Sequence, residues 1–298
     1  MAVDTSAPST GGSATMARIG RALRWLRRHP TVLAGLVILL TVTLMAIFAP
    51  LLTIYDPQRL DPLQRLKAPS VAHWFGTDQL GRDIFARTIY GSRVSLTVGF
   101  TVAAFACVVG LLIGLVSGFI RVLDPVVMRI MDGLMAIPAI LLAIAIVGIT
   151  RSSIWAVVVA VTIPEVPRVV RLVRAIVLTL REQLFVDAAV SLGAKLPRIL
   201  FVHIMPNTMA PLIVQATYVC ASAIIIEAIL SFLGAGTPPA IPSWGNMMAE
   251  GRTYVLVGWW LLLFPGLFLS LVVLAVNLLG DGLRETLDPR LRRSTNNE

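Results

Sequence analysis

Asp187, Ala188 and Ala189 open a polar, basic island in an otherwise apolar chain, followed by Gly193, His203 and Pro206 in the run DAAVSLGAKLPRILFVHIMP. These residue types point to recognition between proteins. A carboxylate followed by two small side chains starts a helix that a partner can approach closely. Glycine at 193 admits the positive φ of a sharp turn at little cost. A second amphipathic stretch, Leu196 to His203, is expected to end near Pro206, because proline removes a helical donor and crowds the preceding turn. Helix, turn and helix at a membrane surface make a docking platform.

Glu227 is the deepest ionisable residue in an apolar run. Burying a charge in a membrane is expensive, so such a residue is by default a functional one. It would line a substrate path or pair with an Arg or Lys. The alternative is a protonated or hydrogen-bonded packing role near the outer interface. His73, Asp78 and Asp83 carry ligand-type atoms, but their spacing fits no cation loop. The two aspartates read as turn and N-cap residues ahead of a helix. No G-x-x-x-x-G-K-S/T motif occurs: Lys67 follows Leu66 and Lys195 follows Ala194, so neither is placed to reach nucleotide phosphates by that route. No HExxH, nucleophile elbow or paired-cysteine motif appears. Cys107 and Cys220 sit inside apolar runs as small hydrophobes. Neither a catalytic site nor a metal is expected in this chain.

The elements that must position these residues follow from composition. The chain is 57% hydrophobic and 14% charged, against roughly 25% charged in ordinary soluble domains. The uncharged runs Thr31 to Tyr55, Val94 to Ile120 and Thr253 to Gly280 each exceed the ~20 residues of a spanning helix. A net charge of +9 would suggest nucleic acid in a soluble protein. Here it fits cytoplasmic loops, because the arginines cluster before the first span, in the island and in the tail. The charged leader is followed by an apolar run too long for a signal peptide, so none is expected.

The first residues, rich in Ser, Thr, Ala and Gly, are expected to be disordered. Arg18 to His29 reads as an amphipathic helix on anionic headgroups, or as topogenic charge. The expected spans are Thr31–Leu52, Arg93–Ile120, Gly133–Thr150, a fourth from Ser153 towards Pro167, Met209–Leu233 and Val255–Gly280. Gly133 to Pro167 as one helix would be about 50 Å long, too long for a ~30 Å core, so it must turn at 150–153. Gly110, Gly114 and Gly118 form a small-residue ridge for helix packing. Trp244, Trp259 and Trp260 read as interfacial aromatics, with contact to a docked binding protein the alternative for Trp244. Six spans put both termini, and the island, in the cytoplasm.

Four further motifs run in order: Phe75–Asp83 (FGTDQLGRD) with Gly91–Leu96 (GSRVSL); Leu230–Gly234 (LSFLG) leading to Pro238-Pro239 and Pro242–Gly245 (PSWG); Asn277–Arg284 (NLLGDGLR); and Leu287–Arg290 (LDPR). With the island, they make the chain resemble C-type permease subunits of the dipeptide, oligopeptide and nickel ABC importers. The island is similar to the family's EAA loop, with Asp187 in place of the usual Glu.

The resemblance implies an all-α, six-span membrane protein of the type I ABC importer permease fold. It would be organised as a cytoplasmic N-terminus (1–30), a first span with an outer loop (31–92), a transmembrane core (93–282) carrying the coupling loop 171–208, and a cytoplasmic tail (283–298). Implied partners are a B-type permease, two ATP-binding subunits that hold the ATP and Mg, an extracytoplasmic binding protein and the lipid bilayer. No nucleic acid is implied. Asp187 would pair with a basic residue of the ATPase, Ala188 and Ala189 would allow close approach, Gly193 would supply the turn, and His203 and Pro206 would position the second helix. The implied cargo is peptide, with nickel, glutathione or opine-like substrates as alternatives. A proton-coupled secondary transporter using Glu227, or a non-transporting membrane scaffold, would be different readings.

Overall fold

A computed structural model describes residues 29–150 and 153–287. The stretches expected from sequence to be a disordered start and an amphipathic leader, and the end of the tail, lie outside the described residues. Among the described residues the structure is helical throughout, save for loops and one isolated bridge between Thr77 and Asp83.

Helix α1, Pro30–Ile47, continues into a short turn at Ala49–Leu52. An outer loop leads to α2, Ile84–Phe119. This helix starts well before Arg93 because Asp83 caps it, accepting the Ala86 N–H at 2.7 Å, and because Ile84, Arg87 and Ile89 bury against the loop. Its polar first turns bury in protein and carry no hydropathic signal.

The third expected span proves to be a broken pair. Helix α3, Asp124–Ala136, and α4, Ala139–Ile149, meet at 88°. Pro138 forces the break: it has no N–H, and it pushes Ile137 to extended geometry (φ −91°, ψ 127°). Gly133 therefore belongs to α3, not to the segment after the bend.

Helix α5, Ile154–Leu180, is capped by Ser153, whose Oγ accepts the Ala156 N–H at 3.1 Å. It passes both Pro164 and Pro167 instead of ending there. Buried valines explain its length: Val169, Val173 and Val177 stay against α2 through the arginine-rich part.

A short helix α6, Leu184–Ser191, precedes α7, Leu196–Phe232. The expectation that a helix ends near Pro206 is overturned: α7 is one helix of 37 residues. It widens into a π turn at Ile199–Ile204, where the Met205 N–H reaches the Leu200 carbonyl five residues back. Pro206 then falls in the first regular turn, where its missing donor matters least. The Asn207 side chain takes up the His203 carbonyl at 2.7 Å. Helix α8, Trp244–Gly251, and α9, Trp260–Leu287, complete the chain.

Neighbouring pairs fix the helix directions. Gly110, Gly114 and Gly118 face Val169, Val173 and Val177 in the same order, so α2 and α5 run parallel. Ser95 meets Glu227 and Gly99 faces Cys220 and Ile224, so α7 runs against α2. Gly35 abuts Ala275 and Leu278 while Gly282 abuts Val32, so α1 and α9 are antiparallel. The loops at 53–83 and 233–259 gather at one end, tied by Gln58 to the Ala240 carbonyl at 3.0 Å and by Trp260 to Thr77 at 3.1 Å. The island lies at the other end, where Arg181 donates to the Gly118 carbonyl at 2.9 Å. Among the described residues four helices are long and apolar enough to cross a membrane, or five with the bent pair counted as one. The 27-residue α5 carries too many charges to qualify on hydropathy alone.

Candidate functional site

The island is built on a helix stop. Leu192 donates to Ala188 at 3.0 Å, Gly193 to Val190 at 2.9 Å and Ala194 to Ala189 at 3.0 Å. This is a Schellman closure with Gly193 at φ +76°, the left-handed value that glycine accepts without a Cβ penalty. Asp187 lies in the first turn of α6, where a carboxylate suits the helix dipole. Asp187, Ala188 and Gly193 are exposed, whereas Ala189 and Val186 pack inward. Leu184 and Leu192 are 85% and 87% exposed, and Phe185 and Val190 are exposed beside them. An apolar collar around one carboxylate is what a protein partner would cover.

His203 and Pro206 sit on α7, half-buried and exposed respectively. They belong to the element behind the island, since α6 packs on the 199–204 turn. Asp187 itself shares a cleft of about 390 Å³ with Arg121, Arg181 and Glu182, floored by Val186 and Val190. Basic groups of this same chain therefore stand near Asp187.

The frame under the island is ionic. Asp124 accepts two hydrogen bonds from Arg174, one of them at 2.6 Å, and Asp132 accepts one from Arg171 at 2.6 Å. Both pairs clamp α3 onto α5. The glycine ridge brings α2 close to the same part of α5. A Cβ at Gly110, Gly114 or Gly118 would lie 2.5, 2.7 or 2.8 Å from the Cβ of the facing valine.

Glu227 is fully buried, 0% exposed. Ser95 of α2 donates to Oε2 at 3.1 Å and Ser231 to Oε1 at 2.8 Å. No Arg or Lys pairs with it among the described residues, and in this conformation it faces no open path. The polar chain goes on through Thr237 to Ser243 and Asn246, joining α2, α7 and α8.

Two buried clusters were missed by reading the sequence. In the outer loop Asp78 accepts from Arg82 at 2.5 Å and from Arg87 at 2.8 Å, and Glu250 of α8 accepts from both arginines. Burial pushes the Glu250 carboxyl above its ordinary value; Arg82 opposes this and Asp78 adds to it. In the helices, Glu165 holds Arg168 at 3.0 and 3.1 Å and accepts from Ser222 at 2.8 Å. The usable signal for this pair was the valine spacing, which carries α5 beyond Pro167.

His73 donates to or accepts from Asp83 at 2.8 Å, and no group of three potential metal ligands occurs among the described residues. Trp244 corrects both expectations for it. It is 0% exposed, and its indole N–H donates to the Thr88 carbonyl at 3.0 Å. It can touch neither headgroups nor a docked protein. Trp260 is buried likewise, against Thr77, so of these three only Trp259 is exposed.

Several long apolar helices, with an exposed loop joined to one of them, define a helical membrane protein. The comparisons place it more closely. The model of the binding-protein-dependent transport system inner membrane component matches residues 106–293, and that of the N-terminal TM domain of oligopeptide transport permease C matches 18–69. A probable peptide ABC transporter permease of Sinorhizobium fredii is 52% identical over 91% of this chain and 93% of the relative. The dipeptide transport permease of Alkalihalophilus pseudofirmus is 45% identical over 91% and 90%. The oligopeptide transport permease of Bacillus subtilis is 40% identical over 90% and 88%. A chain of the inward-facing MetNI methionine ABC transporter shares the fold, with TM-score 0.57 and 21% identity over 69% of this chain and 98% of that one. The chain belongs to the family of binding-protein-dependent transport system inner membrane components, the permeases of ABC importers. Membership makes it a transport component that works with ATPase subunits and a binding protein.

Proposed function

We propose that this chain is the C-type permease of a peptide importer in the bacterial inner membrane. It pairs with a B-type permease, two ATP-binding subunits and an extracytoplasmic binding protein, and ATP and Mg bind to the ATPase subunits alone. The peptide assignment rests on the relatives named for peptide transport. Helix directions alternate as six crossings require, with α3–α4 and α5 as the third and fourth, and both termini on the island's side in the cytoplasm.

The observation that carries the mechanism is the continuity of α7. At 1.5 Å per residue its 37 residues extend about 55 Å, more than a bilayer core. A push on α6 is delivered at the 199–204 turn and reaches the Glu227 network at the far end without passing a loop. ATP-driven closure of the motor subunits on the island thus biases the helices between outward-open and inward-open states. Asp187 pairs with a basic group of the ATPase, Ala188 permits the approach, and Gly193, His203 and Pro206 set the angle between α6 and α7.

The test is uptake of a labelled dipeptide by proteoliposomes holding the assembled importer. ATP and the binding protein should both be required. Uptake driven by a proton gradient without ATPase subunits would instead establish a secondary transporter.

A further inference from the structure

Arg168 is out of place for a packing residue. Its side chain is 49% exposed while its partner Glu165 is buried. Glu165 lies about 18 Å along α5 from its cap at Ser153, and Ser222 about 15 Å along α7 from its end at Phe232. In a core of ~30 Å both distances place the pair near the middle of the membrane. A guanidinium at that depth is tolerated where it faces a polar cavity or another protein, not lipid.

The way it is held matters. Both oxygens of Glu165 sit on one nitrogen, Nη1, at 3.0 and 3.1 Å. Among the described residues Nη2 and Nε of Arg168 have no hydrogen bond, and they form the fork that matches a carboxylate. A peptide at neutral pH ends in such a carboxylate, since an α-carboxyl ionises near pH 3.5. Glu165 has a second effect: by neutralising part of the charge it keeps any hold on a passing anion weak. A translocation site needs this, because cargo must leave as well as enter. Ser222 donates to Glu165 at 2.8 Å from α7, the helix continuous with the island. Sliding of α7 along α5 therefore changes how firmly Arg168 is anchored.

We infer that Arg168, anchored by Glu165 and Ser222 at mid-membrane, lines the translocation path and meets the C-terminal carboxylate of the peptide as it crosses. The inference rests on the peptide-importer reading above. It extends that reading to a site inside the helices that selects for a free carboxylate.

Two measurements on the assembled importer test it. First, Arg168→Cys is introduced together with Cys107→Ala and Cys220→Ala, and a charged methanethiosulfonate is applied. Modification that is slowed by a saturating dipeptide-loaded binding protein supports the path. Absence of modification, as for a lipid-facing or subunit-buried position, overturns it. Second, uptake of a dipeptide is compared with uptake of its C-terminal amide, each at saturating loaded binding protein. Arg168→Gln should lower uptake of the free acid by about tenfold or more, the scale of one charge-assisted hydrogen bond, and bring acid and amide level. Arg168→Lys should restore part of the preference. An equal fall for both cargoes, with the complex still assembled, would assign Arg168 to the interface with the partner permease and sink the inference. Should the unmodified importer carry no peptide, the peptide reading fails, and thiol accessibility still decides whether Arg168 faces water.

Discussion

Gly193 allows folding and docking to be measured separately. It sits at φ +76°, and no atom lies within 4 Å of the place its Cβ would take. Any L side chain other than Asn pays about 1–2 kcal/mol for the left-handed backbone. Because the space is open, the cost within this chain is the same for Ala as for Trp. Gly193→Asn should cost less, since Asn visits that region more readily.

The backbone cost is readable at the Ala194 amide, whose hydrogen bond to Ala189 at 3.0 Å closes the turn. Opening of that bond should rise about tenfold for a 1.4 kcal/mol loss, equally in Gly193→Ala and Gly193→Trp, as hydrogen exchange would report. Transport should then split the two. The Ala variant keeps ATP-driven uptake near its original level in proteoliposomes. The Trp variant loses uptake and uncouples ATP turnover, since only a partner pressed against the turn can feel the indole. Equal uptake by the two variants, with equal amide opening, would refute the idea that the ATPase covers this turn.

Other perturbations reach the frame. Gly114→Ala places a Cβ 2.7 Å from the Cβ and 2.9 Å from the Cγ1 of Val173, against an ordinary contact near 3.8 Å, and should cost about 1–3 kcal/mol by overpacking; thermal melting of the purified complex should show the loss, and Val173→Ala, which removes Cγ1 but keeps Cβ, should recover only the smaller part of it. Glu227→Gln preserves the shape and an acceptor for Ser95 or Ser231, so uptake should persist, whereas Glu227→Leu orphans the Ser95 hydroxyl at about 1–3 kcal/mol and leaves Ser231 only Thr237. Abolished uptake in a well-assembled Glu227→Gln importer would favour a proton-carrier role. Glu250 is raised, so the folded loop holds its proton to higher pH than the unfolded chain does. Its contribution to stability therefore falls as pH climbs from about 4.5 through the raised value, and Glu250→Gln should flatten that part of the melting-temperature profile.

The sequence made the membrane class and the turn at Gly193 legible because each depends on local properties: run length, and the φ only glycine takes cheaply. The ridge at 110, 114 and 118 was legible for the same reason, since spacing on one helix marks a face whatever lies opposite. The errors have one physical source. Hydropathy scores residues singly, while a membrane charge is tolerated in proportion to what it pairs with. Arg171 and Arg174 look like the end of a span until Asp132 and Asp124 on α3 are brought against them. Arg87 looks like loop until Asp78 and Glu250 enclose it, and the start of α2 is misplaced with it.

The prolines err in the opposite direction. Pro138 breaks its helix, yet Pro164, Pro167 and Pro206 do not. Pro164 and Pro167 are buried in protein within α5, and the π turn before Pro206 removes the need for its donor. A proline ends a helix when no neighbour repays the lost bond, so its effect is decided by tertiary contacts. The same contacts make α7 continuous, and that continuity is what turns the island from a surface loop into the end of a lever.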